Sequence, residues 1–322
     1  MRIVFMGTPQ FAVPSLDLLL NSGVEVVAVV TAPDKPAGRG RQLQCSDVKR
    51  YALEKGLKIL QPMNLKDPAF LNELRVCHAD LHVVVAFRML PEAVWNMPEL
   101  GTYNLHASLL PSYRGAAPIN WAIINGEKET GVTTFRLKHA IDSGKIVLQE
   151  RQVIGPDTTA GELHDLLMEK GAQVLLKTIR LIEECKREGK DVPFIQQDEQ
   201  HVSHAPKLSK ETCRINWNSD ARSIQNLIRG LSPYPAAFTT FTDPAGKTLQ
   251  LKIFSSSFES TSDVQLANGS LFTENDNTIL VKCGGGVLRI KELQLEGKKR
   301  MQAEAFLMGY KFKKGLKLDK GN

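Results

Sequence analysis

Residues 2–30, RIVFMGTPQFAVPSLDLLLNSGVEVVAVV, decide the fold. The apolar run that follows Arg2 reads as a buried strand ending at Met6. Gly7, Thr8 and Pro9 supply the turn after it, and Pro14 suits the first turn of a helix running to Leu20. Residues 24–30 are rich in β-branched valine and too apolar for a surface helix, so they read as a second strand. Strand, turn, helix and strand in that order open a parallel α/β sheet. The turn after the first strand offers only Gly7 where a dinucleotide-binding turn needs G-x-G-x-x-G, which argues against a Rossmann-type dehydrogenase.

The pattern continues outward from this unit. Residues 31–44, rich in Pro, Gly and basic side chains, read as a loop; 47–55 as a helix; 58–60 as a short strand; 81–86 and 101–105 as buried strands. Residues 131–137 and 145–153 alternate like the two arms of a hairpin. Residues 159–188 carry helical periodicity through Leu163, Leu166, Leu167, Val174, Leu175, Ile179 and Ile182. The sum is a Rossmann-like, mostly parallel sheet covered by helices, expected over residues 1–188. A polar, Gln-rich stretch follows, and a linker is expected over 189–206. In the remaining part, 207–322, a helix over 222–231 precedes short runs at 239–242, 249–254, 270–273, 278–282 and 287–293, each bounded by turn signals. Evenly spaced short strands predict a small barrel or sandwich.

Composition narrows the class. With 42% hydrophobic and 24% charged residues, the chain is expected to be globular, and no apolar run reaches the roughly 18–20 residues of a membrane helix. The start of the chain lacks the three regions of a secretory leader. Five widely spaced cysteines without a CxxC pair fit a reduced, cytoplasmic protein and give no zinc or redox motif. The net charge of +6 is uneven: residues 204–322 hold 18 Lys and Arg against 11 Asp and Glu, a net of +7. A catalytic part joined to a polyanion-binding part accounts for this, and so does a mildly basic, well-solvated domain.

The chemistry gathers in residues 104–119, NLHASLLPSYRGAAPI, just after a buried strand, where open α/β sheets bind ligands. Asn104 and His106 are two apart and share one face of an extended backbone. An amide N–H that can stabilise an oxyanion beside an imidazole that can move a proton is a pairing suited to acyl transfer. The same pair also suits a turn in which each satisfies a local hydrogen bond. Asp142, in Ala140-Ile-Asp-Ser-Gly144, is a carboxylate able to orient an imidazole; it is equally an ordinary turn aspartate, and spacing does not place it against His106.

The run 104–119 resembles the signature of 10-formyltetrahydrofolate-dependent formyltransferases. The loop 31–40, TAPDKPAGRG, and the stretch 207–217, KLSKETCRINW, are similar to the tRNA-contacting loop and the second-domain entry of the methionyl-tRNA formyltransferase family. The resemblance spans nearly the whole chain. It implies a Rossmann-like domain followed by an OB-like β-barrel that binds tRNA. The implied activity transfers the formyl group of 10-formyltetrahydrofolate, a co-substrate, to the amino group of methionyl-initiator-tRNA. By position, Asn104, His106 and Asp142 match the catalytic trio. Ser108, Leu109, Leu110 and Pro111 match the folate-binding segment, with Phe87 and Met89 beside it. Arg39 matches a loop arginine that holds the tRNA acceptor end. Arg41, Lys207, Lys210, Lys298, Lys299 and Arg300 are further candidates for phosphate contacts. No metal and no membrane are implied, and a monomer is expected. The chain departs from the pattern in two places. Ala86-Phe87-Arg88 stands where members carry a small residue third, and the loop after Gly40 lacks the usual Pro-Ser-Pro.

Overall fold

The computed structural model describes residues 1–37, 42–259, 264–274, 277–312 and 316–319. They pack as two compact units. The first comprises Met1–Ala116, Thr130–Val153 and His164–Ala205; the second comprises Ala117–Glu129, Ile154–Leu163 and Pro206–Asn322. Two excursions from the first half of the chain therefore belong to the second unit, an arrangement that hydrophobic periodicity does not reveal.

The first unit is built on a sheet. Strands β1 (Arg2–Gly7) and β2 (Glu25–Val30) flank helix α1 (Val13–Asn21), which has Pro14 in its first turn. The expected loop over 31–44 instead contains two short antiparallel strands, β3 (Lys35–Ala37) and β4 (Gln42–Gln44), paired Lys35 to Gln44. A two-stranded ribbon tolerates Pro36 because it has free edges, which is why its composition reads as a loop. Ser46 caps α2 (Asp47–Glu54) by accepting from the Lys49 N–H, and β5 (Ile59–Leu60) follows. Next come α3 (Pro68–Val76), capped by Asp67, then β6 (Leu81–Val85), the single turn α4 (Glu92–Trp95) and β7 (Thr102–His106). Two-residue β8 (Arg114–Gly115) and α5 (Pro118–Ile124) precede β9 (Glu129–Arg136) and β10 (Ile146–Val153). The long helix α6 (Ala160–Glu188) and the short β11 (His204–Ala205) complete this half of the chain.

The seven strands run in the order β10-β9-β7-β6-β1-β2-β5. Pairs β1/β2, β1/β6, β2/β5 and β6/β7 are parallel, and β9 lies antiparallel on β7. The core strands are apolar throughout because both faces are covered: Ile3, Val4, Phe5, Leu81, Val83 and Val85 are fully buried. The chain steps one way from β1 to β5, then returns to β6 and β7 on the other side, so the order reverses between β1 and β6. Such a switch point opens a crevice at the carboxyl ends of the strands. Gly7 sits at its lip: a Cβ there would lie 2.7 Å from Ala12 Cβ and 3.1 Å from Val85 O.

The second unit has its own core. Asp220 caps α7 (Ala221–Leu231), whose Ile224, Ile228 and Leu231 are buried against an antiparallel sheet. That sheet contains β12 (Ala237–Thr242), β13 (Thr248–Glu259), β14 (Leu271–Glu274), β15 (Thr278–Cys283) and β16 (Gly286–Leu295), in the order β12-β13-β16-β15-β14. Strand β17 (Met301–Gln302) adds to β16 and leads into α8 (Ala303–Gly309). Register shifts in β13 around Ser255 bend this strand, as bulges do in small barrels. Trp217 is fully buried and donates its indole N–H to Thr239 Oγ1 at 3.1 Å. The excursion helix α5 packs closely on α7: Asn120 Nδ2 donates to Gly230 O at 2.8 Å, and a Cβ on Gly230 would lie 2.7 Å from Ile124. The result is an antiparallel half-barrel, consistent with the small barrel expected from the evenly spaced short strands.

Candidate active site

β7 carries Asn104 and His106 to the carboxyl edge of the sheet. Its parallel register with β6, Val84 to Asn104 and Val85 to Leu105, puts the segment after β6, Ala86 onward, beside them. Ala86 has a positive φ of 47°, so the backbone turns sharply there. His106 is 7% exposed, and its Nε2 lies 2.9 Å from the Tyr113 carbonyl oxygen. A carbonyl only accepts, so this contact assigns the proton to Nε2 and leaves Nδ1 with its lone pair in the neutral ring. Nδ1 faces Asp142 Oδ2 at 3.9 Å, beyond direct hydrogen bonding but close enough to stabilise a positive imidazolium. The same Oδ2 accepts the Gly115 N–H at 2.9 Å. The structure therefore brings together the histidine and aspartate that spacing alone leaves apart.

Asn104 behaves differently. It is half-buried, and its side-chain amide makes no hydrogen bond among the described residues. An open amide here is a donor available to a ligand atom. The segment after His106 is held from below. Ser108 is fully buried and donates its hydroxyl to Ser112 O at 2.6 Å. Thr133 Oγ1 donates to Ser108 O at 2.6 Å and accepts the Leu110 N–H at 3.1 Å. Gln149 Nε2 donates to Leu110 O at 2.8 Å. Leu110 packs with Phe135 and Ile146, while Leu109 and Pro111 are half-buried. Ser108 and Leu110 thus shape the backbone from inside.

The remaining expected residues fall in several places. Phe87 is half-buried against the apolar cluster of β1, β2 and β6, and Met89 is exposed. Arg88 replaces the small residue of the family pattern and turns away: Nη1 donates to Met63 O at 3.1 Å, Nη2 to Pro62 O, and the guanidinium lies over the Phe87 ring. Arg39 and Arg41 lie outside the described residues. Lys207, Lys298, Lys299 and Arg300 are exposed on the second unit. Arg300 is already committed, bidentate to Glu292 at 2.7 and 2.6 Å and stacked 4.2 Å from the Phe254 ring centroid.

The comparisons with known proteins decide the family. The model described as formyl transferase matches residues 1–179, and that described as formyl transferase, C-terminal domain, matches 207–311. A protein of Parabacteroides distasonis named methionyl-tRNA formyltransferase is 51% identical over 312 residues, 97% of this chain and 96% of its own. The chain belongs to the methionyl-tRNA formyltransferase family. A Bacteroides fragilis member with the same name is 49% identical over 99% of this chain and 98% of its own. Solved structures share the fold. HypX from Aquifex aeolicus, described in complex with tetrahydrofolic acid, superposes with a TM-score of 0.63 at 17% identity, over 96% of this chain and 47% of its own. WlaRD, described as a sugar 3N-formyl transferase in the presence of dTDP and 5-N-formyl-THF, superposes with a TM-score of 0.62 at 21% identity, over 93% of this chain and 99% of its own.

Within this methionyl-tRNA formyltransferase family member, sequence reading missed the groups that hold the segments beside His106 and around Asp142 in place. Thr133 and Gln149 brace the 108–111 segment. Gln197, inside the stretch expected as a linker, donates to two carbonyls of the 142–144 turn at 2.8 and 2.7 Å. Arg114 is 8% exposed and pairs with Glu199 through Nη2 at 2.9 Å; the guanidinium holds the Glu199 carboxyl below its ordinary range. Arg114 lies inside the quoted signature, so a buried cation seeking partners was a signal available in the sequence. Gln197 carried none.

Proposed function

We propose that the chain transfers the formyl group of 10-formyltetrahydrofolate to the free amino group of methionyl-initiator-tRNA, producing N-formylmethionyl-tRNA for translation initiation. The observation that carries the chemistry is the open Asn104 amide on the same strand face as a histidine whose tautomer is fixed and which faces a carboxylate. The match to named methionyl-tRNA formyltransferases, at 51% and 49% identity over 97% and 99% of this chain, supports the acceptor. The folate ligands in the titles of HypX and WlaRD support the donor.

Each residue has a part in the reaction. Asn104 donates its amide N–H to the formyl oxygen as the methionine amine attacks the formyl carbon and negative charge develops there. His106 offers Nδ1, its free nitrogen, to the proton that the amine releases. Asp142 stabilises the imidazolium that forms, and Gly115 fixes which carboxylate oxygen faces the ring. The new C–N bond forms on methionine, the bond to folate N10 breaks with its electron pair, and a proton restores N10–H. No covalent enzyme intermediate is needed, because a neutral amine is itself a good nucleophile. The 86–89 segment and the 108–111 segment line the donor side, while Lys207, Lys298 and Lys299 supply cationic contacts to tRNA phosphates. A role in translation places the enzyme in the cytoplasm.

A competition between acceptors tests this reading. With 10-formyltetrahydrofolate as donor, methionine-charged initiator tRNA is formylated rapidly, while free methionine and a 4-amino sugar nucleotide are not. Turnover of the sugar nucleotide with the charged tRNA inert would overturn the acceptor and keep the chemistry.

A further inference from the structure

Gln197 is 3% exposed, and its whole amide is engaged. Nε2 donates to Asp142 O at 2.8 Å and to Gly144 O at 2.7 Å. Oε1 accepts from Arg114 Nε at 3.1 Å and Nη2 at 2.7 Å. These partners fix the orientation of the amide, since turning it over would set its oxygen against two carbonyls and its NH2 against guanidinium N–H groups. The contacts close a ring. Arg114 holds Gln197, Gln197 holds the Asp142 carbonyl, and the Asp142 carboxylate accepts from Gly115, the neighbour of Arg114. Asp142 is thus fixed at both its backbone and its side chain, and both restraints return to the two residues of β8.

The surroundings make that ring stiff. β8 pairs in parallel with β11, and a Cβ on Gly115 would lie 2.6 Å from Ala205 O. The Ser203 hydroxyl accepts the Tyr113 N–H at 2.9 Å, and the Tyr113 carbonyl is the acceptor that fixes His106. One short stretch, 113–115, therefore sets both His106 and Asp142. The turn it holds is not a relaxed one. Asp142 has a positive φ of 49°, a left-handed conformation that aspartate tolerates without preferring. Without Gln197, two carbonyls of that turn lose a buried donor, and the turn is free to settle elsewhere.

We propose that Gln197 is a positioning residue for formyl transfer, locking the 142–144 turn so that Asp142 is held facing His106, with Arg114 fixing the amide that does so. This rests on the catalytic reading of Asp142 given above. It assigns a role in the reaction to a segment whose sequence suggests a passive connection.

The test is a double-mutant cycle read in single-turnover formyl transfer, with KM measured for both substrates. Gln197→Glu keeps the side-chain size and the acceptor facing Arg114, but sets an oxygen against the two carbonyls. Its kcat is expected to fall about 10- to 100-fold, the scale of a small misplacement of a reacting group, with KM little changed. Combined with Asp142→Asn, the same substitution adds no further loss, because its effect passes through Asp142. Should Gln197→Glu fold poorly, Gln197→Met, similar in length and without donors, carries the same cycle. A loss that persists in full on Asp142→Asn, or that appears in KM with kcat kept, overturns the proposal, as does a wild-type kcat for Gln197→Glu where Asp142→Asn is crippled. Wild-type kcat for Asp142→Asn itself instead removes the catalytic reading on which the proposal stands.

Discussion

The surroundings of His106 and the basic surface of the second unit handle polar groups in opposite ways. Around His106, the side chains of Ser108, Arg114, Thr133 and Gln197 are buried and each is hydrogen-bonded within the protein. The open groups there are the Asn104 amide and His106 Nδ1. On the second unit, Lys207, Lys298 and Lys299 are exposed, and their ammonium groups have no protein partner among the described residues. The difference suits the two tasks proposed for these regions. Stabilising charge on one oxygen atom needs donors held in place before the reaction. Meeting a flexible polyanion needs mobile charges that release counterions on contact. Substitutions in the first region should therefore appear in rate and fold stability, and those in the second in the salt dependence of binding.

Gly144→Ala strikes the first region hardest. An added Cβ would lie 1.7 Å from Arg136 O, so the turn carrying Asp142 must move. We expect a loss of about 3 kcal/mol in unfolding free energy together with most of the formyl-transfer rate. Wild-type denaturant stability and rate would show that the turn is not constrained as described.

His82 on β6 gives a smaller effect that is tied to pH. It is 1% exposed, and burial lowers its pKa from 6.5 to about 4. Between those values the unfolded chain binds a proton that the folded chain does not, so this residue's contribution to stability falls as pH falls through that window. The unfolding free energy of wild type relative to His82→Leu should therefore drop by about 2 kcal/mol from about pH 8 to about pH 5. A pH-independent difference would remove the buried neutral histidine from the account.

The second region is tested by salt. If each lysine meets a phosphate, Lys298→Ala and Lys299→Ala should each shallow the salt dependence of tRNA affinity by about 0.7 to 0.9 in the log–log slope. Arg300→Ala sharpens the contrast with the least effect: its charge is already paired with Glu292, so the slope should hold. Equal slopes for all three variants would mean that pairing does not separate them.

The sequence was most informative where periodicity and apolar runs dominate. Strands β1, β2, β6 and β7 and helices α6 and α7 were legible because burial on both faces, or on one stripe, dictates composition. The pair of strands β3 and β4 was not, since the Pro, Gly and basic residues of 31–44 read as a loop. Of the site, Asn104 and His106 were readable from a period of two on a strand. The meeting of His106 with Asp142 was not, because it depends on how β8 and the 140–144 turn pack. Gln197 lay beyond reach altogether: a glutamine in a polar stretch looks solvated until a buried arginine and two carbonyls claim its amide.

Single-turnover formyl transfer by Asn104→Ala, with both substrates saturating, tests the central claim most directly. Removing one such donor costs about 10²- to 10³-fold in rate. The account predicts a loss of that order with tRNA and folate affinities retained. An Asn104→Ala enzyme that transfers formyl groups at the wild-type rate would contradict it.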